Sequence, residues 1–528
     1  MADEWWRGAV IYQIYPRSFQ DTTGSGTGDL AGITRRLEHV AELGADAVWL
    51  SPFFTSPMAD MGYDVSDHRG VDPSFGTLAD FEALVGRAHD LGLKVLLDQV
   101  LSHSSVEHPF FRQSRESRTG QYADWYVWAD CKPDGTPPNN WQSLFGGPAW
   151  EWEPKRRQYY FHNFLRDQPD FDFHNPAVQD WALETLDFWM NLGADGFRLD
   201  TANFYFHDAQ LRDNPLDTRD MPRPTLRSYD MQFPKYSKNQ PEALDFMERM
   251  RAHLADRGGV LIGEIGESHH PIERLADYTA PGRLHMGYHP EMMGLTFTPA
   301  HFRDQVERFF SLQPDGCPAW AFSNHDVPRH VSRWAAHAAD TDSFAKLCAA
   351  LLLSLPGSVC LYQGEELGLP VPDLAYEDLV DPEGRTFWPE NPGRDGARTP
   401  IPWNAEAPHA GFTAAERAWL PVRPDHAARA VDVQNKEQNS VLSFYRTMLA
   451  FRRKRMPTSQ VAVQFLDSPD GTLAFEKAGF IHVFNLTPRP QRIPLDSNGP
   501  VEIGNGVTPQ TDGLDLDANG FAIVRRTS

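Results

Sequence analysis

The sequence predicts an α/β fold: a (β/α)8 barrel with an inserted subdomain after its third strand and a C-terminal antiparallel β domain. Three observations carry this prediction. Eight short apolar runs recur along the chain with amphipathic helical stretches between them, the pattern of a parallel barrel. The stretch between the third and fourth runs is too long for a connecting loop. After the last long helical stretch the period shifts to short alternating runs set between Pro, Gly, Asp and Asn turns.

Taken in order, the strand candidates are residues 10–15, 47–50, 94–100, 196–200, 260–264, 284–288, 319–323 and 358–362. Amphipathic stretches at 30–43, 78–91, 181–192, 243–256, 344–355 and 440–455 read as helices between and after them. The barrel then comprises residues 1–103 and 175–455, and residues 104–174, rich in Trp, Tyr, Pro and Gly, form the inserted subdomain. Residues 456–528 are expected to form a β-sandwich. Residues 213–241 are polar, proline-punctuated and tyrosine-bearing, and read as a long loop covering the barrel mouth.

Bulk properties narrow the function. Among 528 residues, Lys and Arg total 49 and Asp and Glu 72, so 49 − 72 = −23. That balance argues against nucleic acid or an anionic membrane as partner and suits an uncharged small molecule. No apolar run approaches the ~20 residues of a membrane span. The start, Met-Ala-Asp-Glu-Trp-Trp-Arg, has no basic segment followed by an apolar one, so a secretory signal is not expected. Cys131, Cys317, Cys348 and Cys360 form no Cys-x-x-Cys pair, which suits a reducing cytoplasm and gives neither a zinc site nor a disulfide framework. Aromatics reach 12%, with 15 Trp, which fits sugar-ring stacking and a large aromatic core equally. Nothing chooses between monomer and dimer.

Barrel enzymes place their chemistry at the C-terminal ends of the strands. Here strand three ends in Asp98 and runs on to His103, strand four ends in Arg198-Leu199-Asp200, strand five in Glu264, and strand seven leads to His325-Asp326. One such acid is commonly a helix cap. Several converging on one mouth, with an Arg and two His, are not explained that way.

The segments DQVLSH (98–103), GFRLDT (196–201), IGE (262–264) and FSNHD (322–326) closely resemble, in order and spacing, the signature regions of glycoside hydrolase family 13, the α-amylase family. QPDFDF (168–173) adds a further match, and YQIYPRSF, GYDVSDH, YQGEELG and RDGARTPIPW resemble the α-glucosidase and oligo-1,6-glucosidase branch. The resemblance runs from about residue 5 to 455.

It implies a retaining hydrolase in which Asp200 is the nucleophile, Glu264 the acid/base and Asp326 the third carboxylate. Arg198 would orient Asp200 and depress its pKa, while burial and Asp326 would raise that of Glu264. His103 and His325 would bond sugar hydroxyls, Tyr63 would underlie the reacting ring, and Asp60 with Arg398 would grip the non-reducing end. Phe145, Phe164 and Phe204 are candidates for the subsite walls, or for subdomain core. Asp98 reads as structural, holding Arg198 and Tyr63. Glu267 competes with Glu264, and placement at the strand end favours Glu264. Thr201, where Val would accompany α-1,6 preference in this branch, implies an α-1,4 substrate such as maltose.

The expected partners are small α-glucosides with alcohol or sugar acceptors, and the chemistry requires no cofactor. Residues 21–29, DTTGSGTGD, resemble a family loop that holds calcium or magnesium, with Asp21, Thr23, Ser25, Thr27 and Asp29 as candidate ligands. Two rival functions are a sugar isomerase forming trehalose or isomaltulose on the same catalytic set, and a non-enzymatic, transporter-associated or glycan-binding homologue.

Overall fold

The computed structural model describes residues 4–219, 225–456, 462–495 and 499–526. Eight parallel strands build the barrel: β1 (Val10–Ile14), β2 (Ala47–Leu50), β3 (Lys94–Gln99), β4 (Gly196–Leu199), β5 (Val260–Glu264), β6 (Met286–Tyr288), β7 (Ala319–Ala321) and β8 (Ser358–Tyr362). They pair in the order β6-β5-β4-β3-β2-β1-β8-β7. A parallel bridge between Gly287 and Pro318 joins the two ends and closes the barrel.

Side chains two apart on a strand share a face. Ile11, Trp49, Leu96, Ile262, Met286, Ala321 and Cys360 fill the barrel interior. The same parity turns Asp98, Glu264 and Tyr288 inward one step further along, and register sets Arg198 between Asp98 and Ile262. The intervening residues Val48, Leu50, Val95, Leu97, Phe197 and Leu199 face outward, into the core shared with the helices. Gly196 is required by close approach, since a Cβ there would lie 2.1 Å from the Val260 carbonyl oxygen.

The helices are α1 (Leu30–Leu43), α2 (Leu78–Asp90), α3 (Pro176–Asn191), α4 (Glu242–Leu254), α5 (Pro271–Tyr278), α6 (Pro299–Leu312), α7 (Thr341–Ser354) and α8 (Val441–Arg455). α1 buries Leu30, Ile33, Leu37, Val40 and Leu43, the three-or-four spacing that faces one side of a helix to a core. Asp29 caps it by accepting the Gly32 N–H at 2.6 Å. α5 and α6 were not expected from periodicity. α5 spans two turns, too short for a helical period to register, whereas α6 is announced by its Thr298 cap and Pro299.

Within 104–174, a helix at Pro109–Ser114 precedes a three-stranded antiparallel sheet in which Gln158–Phe161 lies between Trp128–Ala129 and Trp150–Glu153. Val127, Trp141, Ala149, Trp150 and Phe161 give it a core of its own. At the C-terminus, where a β-sandwich is expected, six strands hydrogen-bond as one antiparallel sheet. Gly513–Arg525 pairs with Val501–Gln510 on one side and with both Phe480–Asn485 and Gln491–Pro494 on the other. Phe475, Phe484, Phe521 and Ile523 join the core around the barrel, while the alternate residues Ala474, Val483, Ala522 and Val524 form a separate cluster on the other face. Between β8 and α8 the chain makes an excursion over residues 363–440 that the strand-helix rhythm did not announce. Among the described residues no helix is long and apolar enough to cross a membrane.

Candidate active site

The inward side chains at the C-terminal end of β3, β4, β5 and β6 meet around one guanidinium. Arg198, fully buried, donates through Nη1 to Asp98 Oδ1 at 2.6 Å and Asp200 Oδ1 at 2.7 Å. Its Nη2 donates to Glu264 Oε2 at 2.5 Å and to the Tyr288 hydroxyl at 2.7 Å. Its plane lies 4.9 Å from the Trp49 ring. Asp200 and Glu264 are thus bridged by the two ends of one planar group.

Thr201 follows Asp200 in the left-handed region, at φ 40°, a costly conformation for a β-branched residue. The turn brings its N–H to Glu264 Oε2 at 3.2 Å and its hydroxyl to Asp200 Oδ2 at 3.3 Å and Ser102 Oγ at 3.2 Å. Backbone strain therefore sits where the two acids are tied together.

Electrostatics follow from this crowding. Burial raises Asp200 to about 7, with Arg198 pulling it down and Asp98 and Asp326 pushing it up. Burial raises Glu264 to about 7 as well, again against Arg198 and with Asp200 and Asp326. Arg198 pulls Asp200 down as expected, but the net pKa is raised and not depressed. One cation serves three acids, and it does not outweigh their desolvation and mutual repulsion. Asp98 is also raised by burial, to about 6. Asp326 differs. Burial works against its charge, but His325, Arg394 and Arg398 outweigh it and hold its pKa down.

Glu267 is a different kind of acid. Its Oε1 accepts the N–H groups of Ser268 at 2.6 Å and His269 at 2.7 Å, and Asn239 donates to its other oxygen. Burial raises its pKa, but Lys238 and the two N–H groups prevail and keep it below the usual range. It is held ionised while Glu264 is held ready to carry a proton.

A pocket of about 370 Å³ opens over these acids. Asp60, Tyr63, His103, Phe145, Phe164, Asp200, Thr201, Phe204, Glu264 and Asp326 line it. Phe164 is 5.7 Å from Phe204 and 6.3 Å from Phe145, so the three rings form one wall of the pocket. His103 is kept unprotonated by burial, with a pKa of about 4, and its Nε2 lies 3.0 Å from the Tyr63 carbonyl oxygen and 3.1 Å from Gln168 Nε2.

Three expected site residues lie beneath the pocket surface: Arg198, His325 and Arg398. His325 is fully buried, with Nδ1 accepting from Gln13 Nε2 at 2.8 Å. Its Nε2 is 2.5 Å from the Tyr63 hydroxyl, which in turn donates to Asp98 Oδ2 at 3.1 Å. It contacts Tyr63 and Asp326 from beneath the pocket surface, not as a lining residue. The expected Asp60–Arg398 pair is also corrected. Arg394 Nη2 donates to Asp60 Oδ1 and Asp381 Oδ1, both at 2.6 Å. Arg398 instead donates to the His325 carbonyl at 2.8 Å and to Asp326 at 3.0 Å. The two arginines are four residues apart, and the shorter reach to Asp60 falls to the first.

Further lining residues escaped the sequence reading: Leu144, Gln168, Arg227, Tyr229, Asp230, Lys238, Glu383 and Arg394 among them. They come from the subdomain and from the loops after β4 and β8. Gln168 and Arg394 stand inside segments already quoted as motifs, and Arg227, Tyr229, Asp230 and Lys238 inside the loop read as covering the barrel mouth; Leu144 and Glu383 carry no such signal.

The loop at 21–29 does not fit a divalent ion as arranged. Asp21 accepts from the N–H groups of Thr23, Gly24 and Gly26 and from the Thr23 and Thr413 hydroxyls. Asp29 accepts from Thr22 and Gly32. Both carboxylates are occupied by hydrogen-bond donors, and the Ser25 hydroxyl donates to the Thr27 carbonyl.

With this geometry in place, the chain matches the family described as alpha amylase, catalytic domain, over residues 13–460. It is 53% identical to a probable alpha-glucosidase of Rhizobium meliloti over 89% of this chain and 87% of that one. It is 36% identical to an oligo-1,6-glucosidase of Heyndrickxia coagulans, covering 85% of each. The crystal structure of an alpha-glucosyl transfer enzyme, XgtA, superposes with a TM-score of 0.93 at 50% identity, covering 99% of both chains.

Proposed function

This chain belongs to the α-amylase family and is a glycoside hydrolase, and we propose that it is a retaining, exo-acting α-glucosidase that releases terminal α-1,4-linked glucose and passes part of it to alcohol or sugar acceptors. The observation that carries the reading is the bridge of Arg198 between Asp200 and Glu264 at the floor of the pocket.

In this reading Asp200 Oδ2, the oxygen not held by Arg198, attacks the anomeric carbon as Glu264 protonates the departing glycosidic oxygen. A β-glucosyl ester forms on Asp200. Glu264, now a carboxylate, takes the proton of an incoming water or alcohol, whose oxygen displaces Asp200 and restores the α configuration. Such a double displacement needs carboxyls about 5–5.5 Å apart, compatible with acids sharing one guanidinium. Asp326, held ionised, suits bonding to sugar hydroxyls and stabilising the positive charge that develops at the anomeric carbon.

Exo-action is supported by the Asp60–Arg394–Asp381 linkage, which seals one end of the pocket, with Arg394 5.1 Å from the Phe145 ring. The α-1,4 preference rests on Thr201, and the transfer activity on the likeness to an alpha-glucosyl transfer enzyme.

The test is a product profile on maltose, isomaltose and maltose with a phenolic acceptor, for the parent and Thr201→Val. The parent should favour maltose and yield an aryl α-glucoside. The variant's maltose-to-isomaltose ratio of kcat/KM should fall about tenfold, the effect of one misplaced polar contact at the site. An unchanged ratio removes the role of Thr201, and glucose as sole product removes the transfer.

A further inference from the structure

We propose that the protein carries a zinc-class metal site, formed by Asp172, His174 and His207 and separate from the sugar pocket. One ligand atom from each of the three side chains lies within 4.8 Å of the others. None of the three lines the sugar pocket. Asp172 and His174 stand in the turn that leads out of the inserted subdomain into α3, and His207 lies on the segment that leaves β4 just beyond Asp200. An ion here ties the subdomain to the chain that begins at the nucleophile.

Hydrogen bonding sets the tautomer. His174 Nε2 is 2.8 Å from the His207 carbonyl oxygen, which can only accept, so Nε2 holds the proton and Nδ1 keeps its lone pair. A backbone carbonyl on the far nitrogen is the arrangement that orients a metal-ligating imidazole. The His207 ring packs against His174 at 4.9 Å, Trp141 at 6.1 Å and Phe161 at 6.3 Å.

Asp172 contributes a carboxylate, one of whose oxygens accepts the His174 N–H at 3.0 Å. Two imidazoles and one carboxylate, without a thiolate, suit Zn2+ or a similar borderline ion. Ca2+ and Mg2+ prefer all-oxygen sites. Zinc bonds of about 2.0–2.1 Å place tetrahedral ligand atoms about 3.4 Å apart, so the side chains close by roughly an ångström and water completes the shell.

The experiment uses the full chain, stripped with a chelator and titrated with Zn2+ by calorimetry, alongside His207→Phe and Asp172→Asn. One equivalent should bind, raising Tm by about 3 °C at a hundredfold excess over Kd. Each variant should lose at least about tenfold in affinity, as loss of a ligand implies, while hydrolysis of an aryl glucoside without zinc stays near the parent rate. Zinc affinity unchanged in both variants, or binding to the parent weaker than about 100 µM, overturns the site. Should a variant fail to fold, Co2+ on the parent decides. A visible absorption band at one equivalent supports the site, and its absence refutes it.

Discussion

Replacing Glu264 by glutamine should cost far more activity than the same change at Glu267, although the two acids are three residues apart. Glu264 has its pKa raised to about 7, so at neutral pH a substantial share of molecules carries its proton. Glutamine cannot transfer that proton, and loss of a positioned acid/base is worth about 10²–10⁴ in rate. Glu267 is held ionised among two N–H groups, Asn239 and Lys238, and has no proton to give. Its glutamine variant keeps an acceptor for the two N–H groups and turns an amide toward Asn239, a loss of about 1–3 kcal/mol in stability. Its kcat/KM should fall less than about tenfold, since no transition-state contact is removed. The assay is kcat/KM on maltose at pH 7, paired with Tm for each variant. Azide should revive Glu264→Gln on an aryl α-glucoside and yield α-glucosyl azide, because azide needs no base to open the ester. If Glu267→Gln loses more than about a hundredfold at an unchanged Tm while Glu264→Gln stays within tenfold, the acid has been misassigned.

Asp98→Asn removes one negative charge beside Arg198 and Asp200, so the shared pKa of the Asp200 and Glu264 pair should fall and the basic limb of the kcat/KM profile should move to lower pH; a limb that stays or rises refutes this. Glu365 is buried with its pKa raised to about 8, so its stabilising effect is full below the unfolded value and is lost as pH rises through 8. Glu365→Gln should therefore gain on the parent by about 2–3 kcal/mol between pH 6 and 8, read from denaturant unfolding, and a constant difference across that range sinks the idea. Chelation should leave the loop at 21–29 unaffected, since its carboxylates are filled by donors, so elemental analysis should find no stoichiometric calcium or magnesium and loss of either should not lower Tm; an equivalent of either ion that chelation removes with a drop in Tm reverses this reading.

The sequence carried the barrel well because burial on both faces writes strands as short apolar runs, and the ends of those runs located Asp98, Asp200 and Glu264 within a residue or two. Helix α5 and the excursion over 363–440 escaped for a shared reason. Neither has a long repeating period, and the excursion is held by ion pairs and backbone hydrogen bonds among residues distant in sequence. Local pattern does not encode which of two arginines reaches Asp60. Arg394 and Arg398 sit in one motif, and only the folded path of the segment sends the first to Asp60 and the second beneath Asp326. The sequence could not show either that Gln13 and Tyr63 close over both nitrogens of His325. The raised pKa of Asp200 was missed because Arg198 was counted for Asp98 and Asp200 but also serves Glu264, and because the burial of Asp200 was left out.

In the proposed mechanism, that sharing accounts for where the proton of the reaction resides. Three guanidiniums, Arg198, Arg394 and Arg398, face six carboxylates: Asp98, Asp200, Glu264, Asp60, Asp326 and Asp381. The cations are not evenly spread. Arg394 and Arg398 both reach Asp326, whose pKa is depressed, and Arg394 holds Asp381 down to about 2 against its burial, although burial still raises Asp60 on the same arginine. Arg198 alone answers Asp98, Asp200 and Glu264, and all three are raised. Apart from Asp60, the shortage of positive charge falls on the three acids around the place where the anomeric carbon would sit. In the resting protein a proton relieves it. In an oxocarbenium-like transition state the sugar itself supplies the missing cation, so Glu264 can release its proton to the leaving oxygen at the moment Asp200 faces positive charge. An interaction absent from the ground state and gained in the transition state is the kind that raises kcat. It depends on Arg198 remaining one cation among three acids, so a second cation near Asp98 would impair the chemistry while appearing to stabilise the site.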